Sequence, residues 1–176
     1  AVAEELREIT NEFEILRAIT EEVNNRFVGG IQQGSIKDWD TACAMIEEWK
    51  EIIETVAREI GRTEQMVEKD TIQSMFLHEL AKSELPFVFK GGTSLSKVYN
   101  LIDRFSEDID LSMSRKPTQS ERIKSKELIT DIANGLGMIL RNPDEIKSRY
   151  DYNKYVFSYE SMYSEMPLEI IIETSF

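Results

Sequence analysis

Cysteine and histidine are almost absent from this sequence, whose 176 residues contain one of each, Cys43 and His78. A single cysteine excludes a disulfide within the chain and is typical of a reducing compartment. No apolar run approaches the roughly 20 residues that a membrane helix requires. The N-terminus also lacks the basic start and apolar stretch of a secretory signal. These absences predict a cytoplasmic protein that does not enter a membrane.

Basic residues are in short supply as well. Lysine and arginine number 21 against 33 acidic residues, which gives a net charge of −12. This balance argues against a broad basic surface for nucleic acid, because such binding depends on releasing counterions from phosphates. A nucleic-acid substrate would have to be held locally, or by another segment or chain. The densest basic stretch is interpreted as a solvated helix start, with contact to an acceptor strand as the alternative; it comprises Arg115, Lys116, Arg122, Lys124 and Lys126.

The hydrophobic content of 41% suffices for a packed core. Apolar residues recur at three- and four-residue spacing through the first half, which predicts three helices: one over about 6–23, one from Asp38 to just before Gly61, and one from Thr63 that ends ahead of Pro86. After Pro86 the pattern predicts a strand, a turn and short helix, a second strand, a helix over about 121–140, and two late strands. The inward face of that helix is predicted to carry Ile123, Ile129, Ile132, Leu136 and Ile139. The expected fold class is therefore α+β, with a mixed sheet covered by helices. We expect two parts, an N-terminal helical region over 1–62 and a core over 63–176.

Asp108 and Asp110 are the first candidate site residues. Residues i and i+2 of a strand face the same side, so both carboxylates point one way while Ile109 points into the core. Two neighbouring carboxylates repel each other unless a cation lies between them, and Mg²⁺ suits such ligands. The alternative is a solvated acidic edge. A calcium-binding EF-hand is excluded, because Met113 stands where that loop needs glycine.

Gly91 and Gly92 lie between a strand and a helix start, where exposed N–H groups and the helix dipole form a phosphate cradle. Thr93 or Ser94 can cap the helix and donate a hydroxyl, and Lys97 follows about one turn later. A routine strand-to-helix turn is the alternative. The stretch matches neither the P-loop nor the dinucleotide-binding pattern of glycines.

Together the two elements predict transfer of a phosphoryl or nucleotidyl group, which requires little beyond positioning and charge neutralisation. A third carboxylate normally helps to hold the metals. Glu169 and Glu173 share one face of the last predicted strand, so either can serve, and exposed acids with no such role are the alternative. Arg104 is next to the acidic turn and can steady Asp108 or a phosphate.

The stretch 87–113, FVFKGGTSLSKVYNLIDRFSEDIDLSM, resembles the AbiEii/AbiGii-type toxin nucleotidyltransferases of the polymerase-β-like superfamily. The matching segments are 90–95, Lys97 and 104–111, and the end of the chain, 172–176, is similar to the strand that supplies the third acid, which favours Glu173 over Glu169. The resemblance implies a mixed-sheet nucleotidyltransferase core, Mg²⁺ or Mn²⁺, and a nucleoside triphosphate (NTP) substrate. It assigns the metal to Asp108, Asp110 and Glu173, and the nucleotide to Gly91, Gly92, Thr93, Ser94, Lys97 and Arg104.

The same resemblance implies a biological setting. Members of this family are toxins of toxin–antitoxin or phage-abortive-infection systems with a cognate antitoxin, and the expected acceptor is a tRNA end or a protein side chain. Family members usually continue past the third-acid strand, so we expect this chain to lack a C-terminal helical part. A catalytically silent module that binds nucleotide or a partner is the alternative function.

Overall fold

The computed structural model describes residues 39–92 and 108–176. These residues fall into two compact units, one ending at Met75 and the other starting at Phe76. The predicted boundary after residue 62 stays a prediction. In the described ranges, no helix is long and apolar enough to cross a membrane. The predicted N-terminal helix before residue 38 and the short helix from Thr93 lie outside the described residues.

Two long helices precede the sheet. Helix α1 spans Trp39–Ile60, and helix α2 spans Glu64–Ala81. Ile53, Val56 and Ala57 are buried on α1, at the spacing of one helical face. The Thr63 hydroxyl accepts a hydrogen bond from Met66 N at 3.3 Å, which satisfies one amide of the first turn of α2. Both helices confirm the elements predicted for this part of the chain.

Among the described residues, five strands form one mixed sheet in the order β1-β2-β5-β4-β3. The strands are β1 (Phe87–Lys90), β2 (Asp108–Met113), β3 (Ile139–Leu140), β4 (Tyr152–Tyr159) and β5 (Leu168–Ser175). Strands β2 and β5 pair in parallel, and the other pairs are antiparallel. This mixed sheet with helices confirms the predicted α+β class.

The three central strands alternate between a buried face and a more open face, as a half-covered sheet requires. Their buried positions are Ile109, Leu111, Met113, Asn153, Tyr155, Phe157, Tyr159, Ile170, Ile172 and Thr174. The residues between them are partly or fully exposed, and they include Asp108, Asp110 and Glu173. The apolar core of the second unit therefore lies on one side of the sheet, and the candidate acids lie on the other.

Helix α3 spans Gln119–Gly135 and ends earlier than predicted. The prediction that Ile139 continues the buried face of this helix was wrong, since Ile139 lies in β3 and is 62% exposed. The cause is Gly137, whose φ of 76° allows the chain to turn while Gly137 N bonds Asn134 O and Met138 N bonds Ala133 O. Ile123, also predicted to face inward, is exposed because Arg122 and Ser125 take the buried positions. A short 3-10 helix, Pro143–Glu145, connects β3 to β4.

Candidate active site

One row of four charged side chains crosses the open face of the sheet. Register pairs Lys90 with Asp110, Asp110 with Glu173, and Glu173 with Lys154. Across β1, β2, β5 and β4 the order of charges is therefore cation, acid, acid, cation. Neighbouring strands of a sheet lie about 4.8 Å apart. Like charges on adjacent strands destabilise a sheet, and the two outer lysines offset that repulsion.

The carboxylate of Asp110 lies where ionisation is unfavourable. Burial, and then the neighbouring Glu173 carboxylate, raise the pKa of Asp110 above its ordinary value. Lys90 opposes this shift, while Asp108 adds to it. The carboxylates of Glu173 and Asp108 therefore both act on Asp110, and a bound cation would relieve this repulsion.

Gly91 directly follows β1 and approaches the Asp110 carboxylate more closely than any other residue type could. Its φ is 76°, in the left-handed region that favours glycine. A Cβ at this position would stand 1.8 Å from Asp110 Oδ2, far inside van der Waals contact. Position 91 therefore favours glycine for two reasons, the left-handed backbone of the turn and the close approach of the Asp110 carboxylate.

Hydrogen bonds hold the row at its flanks. Lys90 Nζ donates to Ser175 Oγ, and Ser112 Oγ donates to Ser175 O at 2.6 Å, which joins β1 and β2 to the end of β5. On the other side, Lys154 Nζ lies 3.8 Å from Glu173 Oε1. Partial burial, and then a hydrogen bond with Glu173, raise the pKa of the Tyr152 phenol.

The structure brings three of the predicted acids to one face. Asp108 stands two residues before Asp110 on the same side of β2, and it pairs in register with Ile171. Glu169 lies four residues before Glu173 on β5 and pairs with Ser158 on β4, away from the row. Gly92 follows Gly91 at the end of β1, whereas Thr93, Ser94, Lys97 and Arg104 lie outside the described residues.

Within residues 39–92 and 108–176, no three histidine, cysteine, aspartate or glutamate side chains are grouped so that they could hold a metal ion. The donor chemistry nevertheless fits a hard divalent cation, because all three acids offer carboxylate oxygens on one face and Asp110 and Glu173 are direct neighbours. The assignment of a metal to these residues stays a prediction.

Sequence reasoning missed Lys154 and Tyr152 as neighbours of the acids. Both lie at alternate positions of β4, which places them on the open face together. Alternation along β4 could have identified that face. The pairing of Lys154 with Glu173 could not be predicted, because no local feature of the sequence sets the register between β4 and β5.

The acids thus adjoin on a parallel strand pair, and the Gly91 turn lies on the neighbouring strand of this α+β fold. The family model described as "Nucleotidyl transferase AbiEii toxin, Type IV TA system" matches residues 76–176. The chain therefore belongs to the AbiEii nucleotidyltransferase toxin family, which confirms the family that the motif at 87–113 indicated.

Two solved structures from Helicobacter pylori are similar to this chain. One carries a provisional description as a nucleotidyltransferase. It shares 24% sequence identity with this chain at a TM-score of 0.48, and the match covers 64% of this chain and 46% of that protein's chain. The other is JHP933, with 24% identity, a TM-score of 0.48, and coverage of 65% and 45%. This chain thus spans less than half of either protein. No curated protein matches it.

Proposed function

We propose that this chain carries the reaction centre of a metal-dependent nucleotidyltransferase, which moves a nucleoside monophosphate from an NTP to an acceptor hydroxyl on an RNA end or a protein. In its biological setting it acts as the toxin of a toxin–antitoxin or abortive-infection system and is neutralised by a cognate antitoxin. The observation that carries this proposal is the register of β2 and β5, which sets Asp110 directly beside Glu173 with Asp108 on the same face.

Asp108, Asp110 and Glu173 would hold Mg²⁺ or Mn²⁺. The raised pKa of Asp110 supports this assignment: burial is its largest cause and the Glu173 carboxylate the next, and a cation between the two acids would stabilise both charges. When bound, the metal supplies charge neutralisation on the phosphates and lowers the cost of ionising the acceptor hydroxyl.

The other residues of the site would bind the triphosphate. Gly91 and Gly92 offer backbone N–H groups at the end of β1, and Thr93, Ser94, Lys97 and Arg104 complete the predicted cradle. Lys90 and Lys154 stand at the two ends of the acid row and add positive charge toward the phosphates. The acceptor oxygen then bonds to the α-phosphorus, the bond to pyrophosphate breaks, and a carboxylate of the row takes the acceptor proton.

The test is a transfer assay with each of the four NTPs labelled at the α-phosphate, with Mg²⁺ or Mn²⁺ and total tRNA or cell extract. Wild type is expected to release pyrophosphate and to move the label into a macromolecule. Asp108→Asn is expected to lower transfer by at least about 100-fold, the scale of losing a group that stabilises transition-state charge. Asp131→Asn, an exposed acid of α3, is the matched control and keeps wild-type transfer.

Two results would contradict the proposal. Transfer of a γ-phosphate label with release of a diphosphate nucleotide identifies a kinase. Metal-dependent NTP binding with no transfer from any of the four nucleotides identifies a silent binding module of the same fold.

A further inference from the structure

An open depression of about 500 Å³ lies away from the acid row, where α3 approaches the connection between β3 and β4. Its lining residues are Lys126, Pro143, Ile146, Lys147, Ser148 and Arg149. Three of the six are cationic and none is acidic. In a chain with twelve more acids than bases, this is a local reversal of charge.

Buried hydrogen bonds fix the backbone that carries these cations. Asn153, which is 5% exposed, accepts from Lys147 N at 2.8 Å and donates to Lys147 O at 3.2 Å. Lys126 Nζ donates to Ile146 O at 3.3 Å, so the α3 side of the depression is tied to the other side. The main chain is held in place, while the Lys147 and Arg149 side chains are exposed.

A buried arginine pairs with Asp151, one of the acids near the depression; Asp144 and Glu145 lie in the same connection. Arg122 is 8% exposed, donates to Tyr150 O at 2.8 Å, and donates to Asp151 Oδ1 at 2.6 Å. Asp151 is thereby paired from within the protein. Lys147 and Arg149 are exposed and so are accessible to an anion.

Aromatic rings continue from the depression toward the acid row. The Arg149 guanidinium lies 5.4 Å from the centroid of the Tyr150 ring. Tyr150 is 45% exposed and Tyr152 is 51% exposed, so both offer ring surface to a ligand. Two residues past Tyr152, Lys154 contacts Glu173 of the candidate active site.

We propose that this surface, defined by Lys126, Lys147, Arg149, Tyr150 and Tyr152 and here called the basic–aromatic track, binds a single-stranded nucleic acid. Phosphodiester groups occupy the depression, and bases stack on the two tyrosines. A free phosphate would leave the exposed rings unused, and an acidic peptide offers no flat bases to stack on them. That the end of this strand is the acceptor rests on the proposed function.

The experiment measures binding of a fluorescein-labelled single-stranded RNA to the full chain by anisotropy over a salt series, without NTP. Lys147→Ala combined with Arg149→Ala is expected to weaken binding at least about tenfold and to reduce the slope of log affinity against log salt by one to two, about 0.7 for each lost phosphate contact. Arg58→Ala combined with Lys82→Ala removes the same charge from exposed positions outside the depression and is expected to leave affinity within about twofold.

Stacking is tested separately from charge. Tyr150→Ala is expected to weaken RNA binding at least about fivefold, whereas Tyr150→Phe keeps the ring and binds as wild type does. Neither change touches the main-chain oxygen that Arg122 holds.

Equal RNA affinity in the Lys147/Arg149 double variant and its control would overturn the inference, as would a wild type that binds no RNA. Competition by a polyglutamate peptide as strong as that by unlabelled RNA would overturn it too, because the track would then fit an acidic protein. The active site is tested independently by Asp110→Asn, which is expected to lose transfer and keep RNA affinity. If wild type binds RNA through the track but transfers no nucleotide, the proposed function is refuted and the inference about the track stands.

Discussion

At the scale of single residues, the candidate site depends on a missing side chain. Gly91 lies against Asp110, and the space that a Cβ would need is taken by the Asp110 carboxylate. The sequence identified Gly91 and Asp110 as site residues. It gave no sign that they touch, because the contact follows from the antiparallel pairing of Lys90 with Asp110.

Gly91→Ala is expected to displace the Asp110 side chain and to lower nucleotidyl transfer by at least about tenfold, since a misplacement of about 1 Å costs up to 100-fold. Gly137→Ala is the matched control. Gly137 has the same φ of 76°, and a Cβ there would meet nothing within 4 Å.

Both alanine variants carry a similar backbone strain of about 1–2 kcal/mol, so the loss of thermal stability in Gly137→Ala measures the share that strain alone contributes in Gly91→Ala. Transfer rates measured beside the melting curves separate displacement of Asp110 from general destabilisation. Equal loss of activity in both variants would show that strain, and not the Asp110 contact, explains the effect.

At the scale of elements, α3 is held at its start by a reciprocal cap. Thr118 Oγ1 accepts from Glu121 N at 3.2 Å, and Glu121 Oε2 accepts from Thr118 N at 2.8 Å. Arg115 Nη1 donates to the same carboxylate at 3.0 Å. The hydrogen bond from Arg115, followed by those from Thr118, lowers the pKa of Glu121 to about 2.

This cap predicts a pH dependence of stability. An unfolded glutamate titrates near 4.3, so the contribution of Glu121 is present in full above about pH 4.3 and is lost as the pH falls toward about 2. Urea unfolding of wild type and Glu121→Gln is expected to differ at pH 6 and to converge at low pH.

Glu127→Gln, an exposed acid on the same helix, controls for the change in net charge. A gap between wild type and Glu121→Gln that stays constant from pH 6 down to pH 2.5 would argue against an ionised cap.

The helices and strands also show how much of the fold can be predicted from the sequence. Helix α1 and strands β2, β4 and β5 follow from apolar spacing, because one face of each is buried. The end of α3 does not, since Ile132, Leu136 and Ile139 continue a helical pattern past the residue where Gly137 turns the chain. Lys154 was not predicted as a site residue for a related reason. Alternation along β4 predicts which face of the sheet it lies on, but only the register with β5 pairs it with Glu173.

At the scale of the whole molecule, the sheet brings distant parts of the chain together. Asp110 comes from β2 and Glu173 from the last strand, and a parallel pairing places them side by side. The excess of acids argues against a broad basic surface, yet three cations gather where α3 approaches the connection between β3 and β4. Net charge describes the average surface and says little about such a local cluster.

The central claim is that the β2–β5 register, and not acidity in general, builds the reaction centre. Its most direct test is pyrophosphate release by Glu173→Gln and Glu169→Gln, two identical changes on the same face of β5. We predict a loss of about 100-fold or more for Glu173→Gln and wild-type rates for Glu169→Gln, because Glu173 alone of the two adjoins Asp110. Full activity in Glu173→Gln, or an equal loss in both variants, would contradict the account.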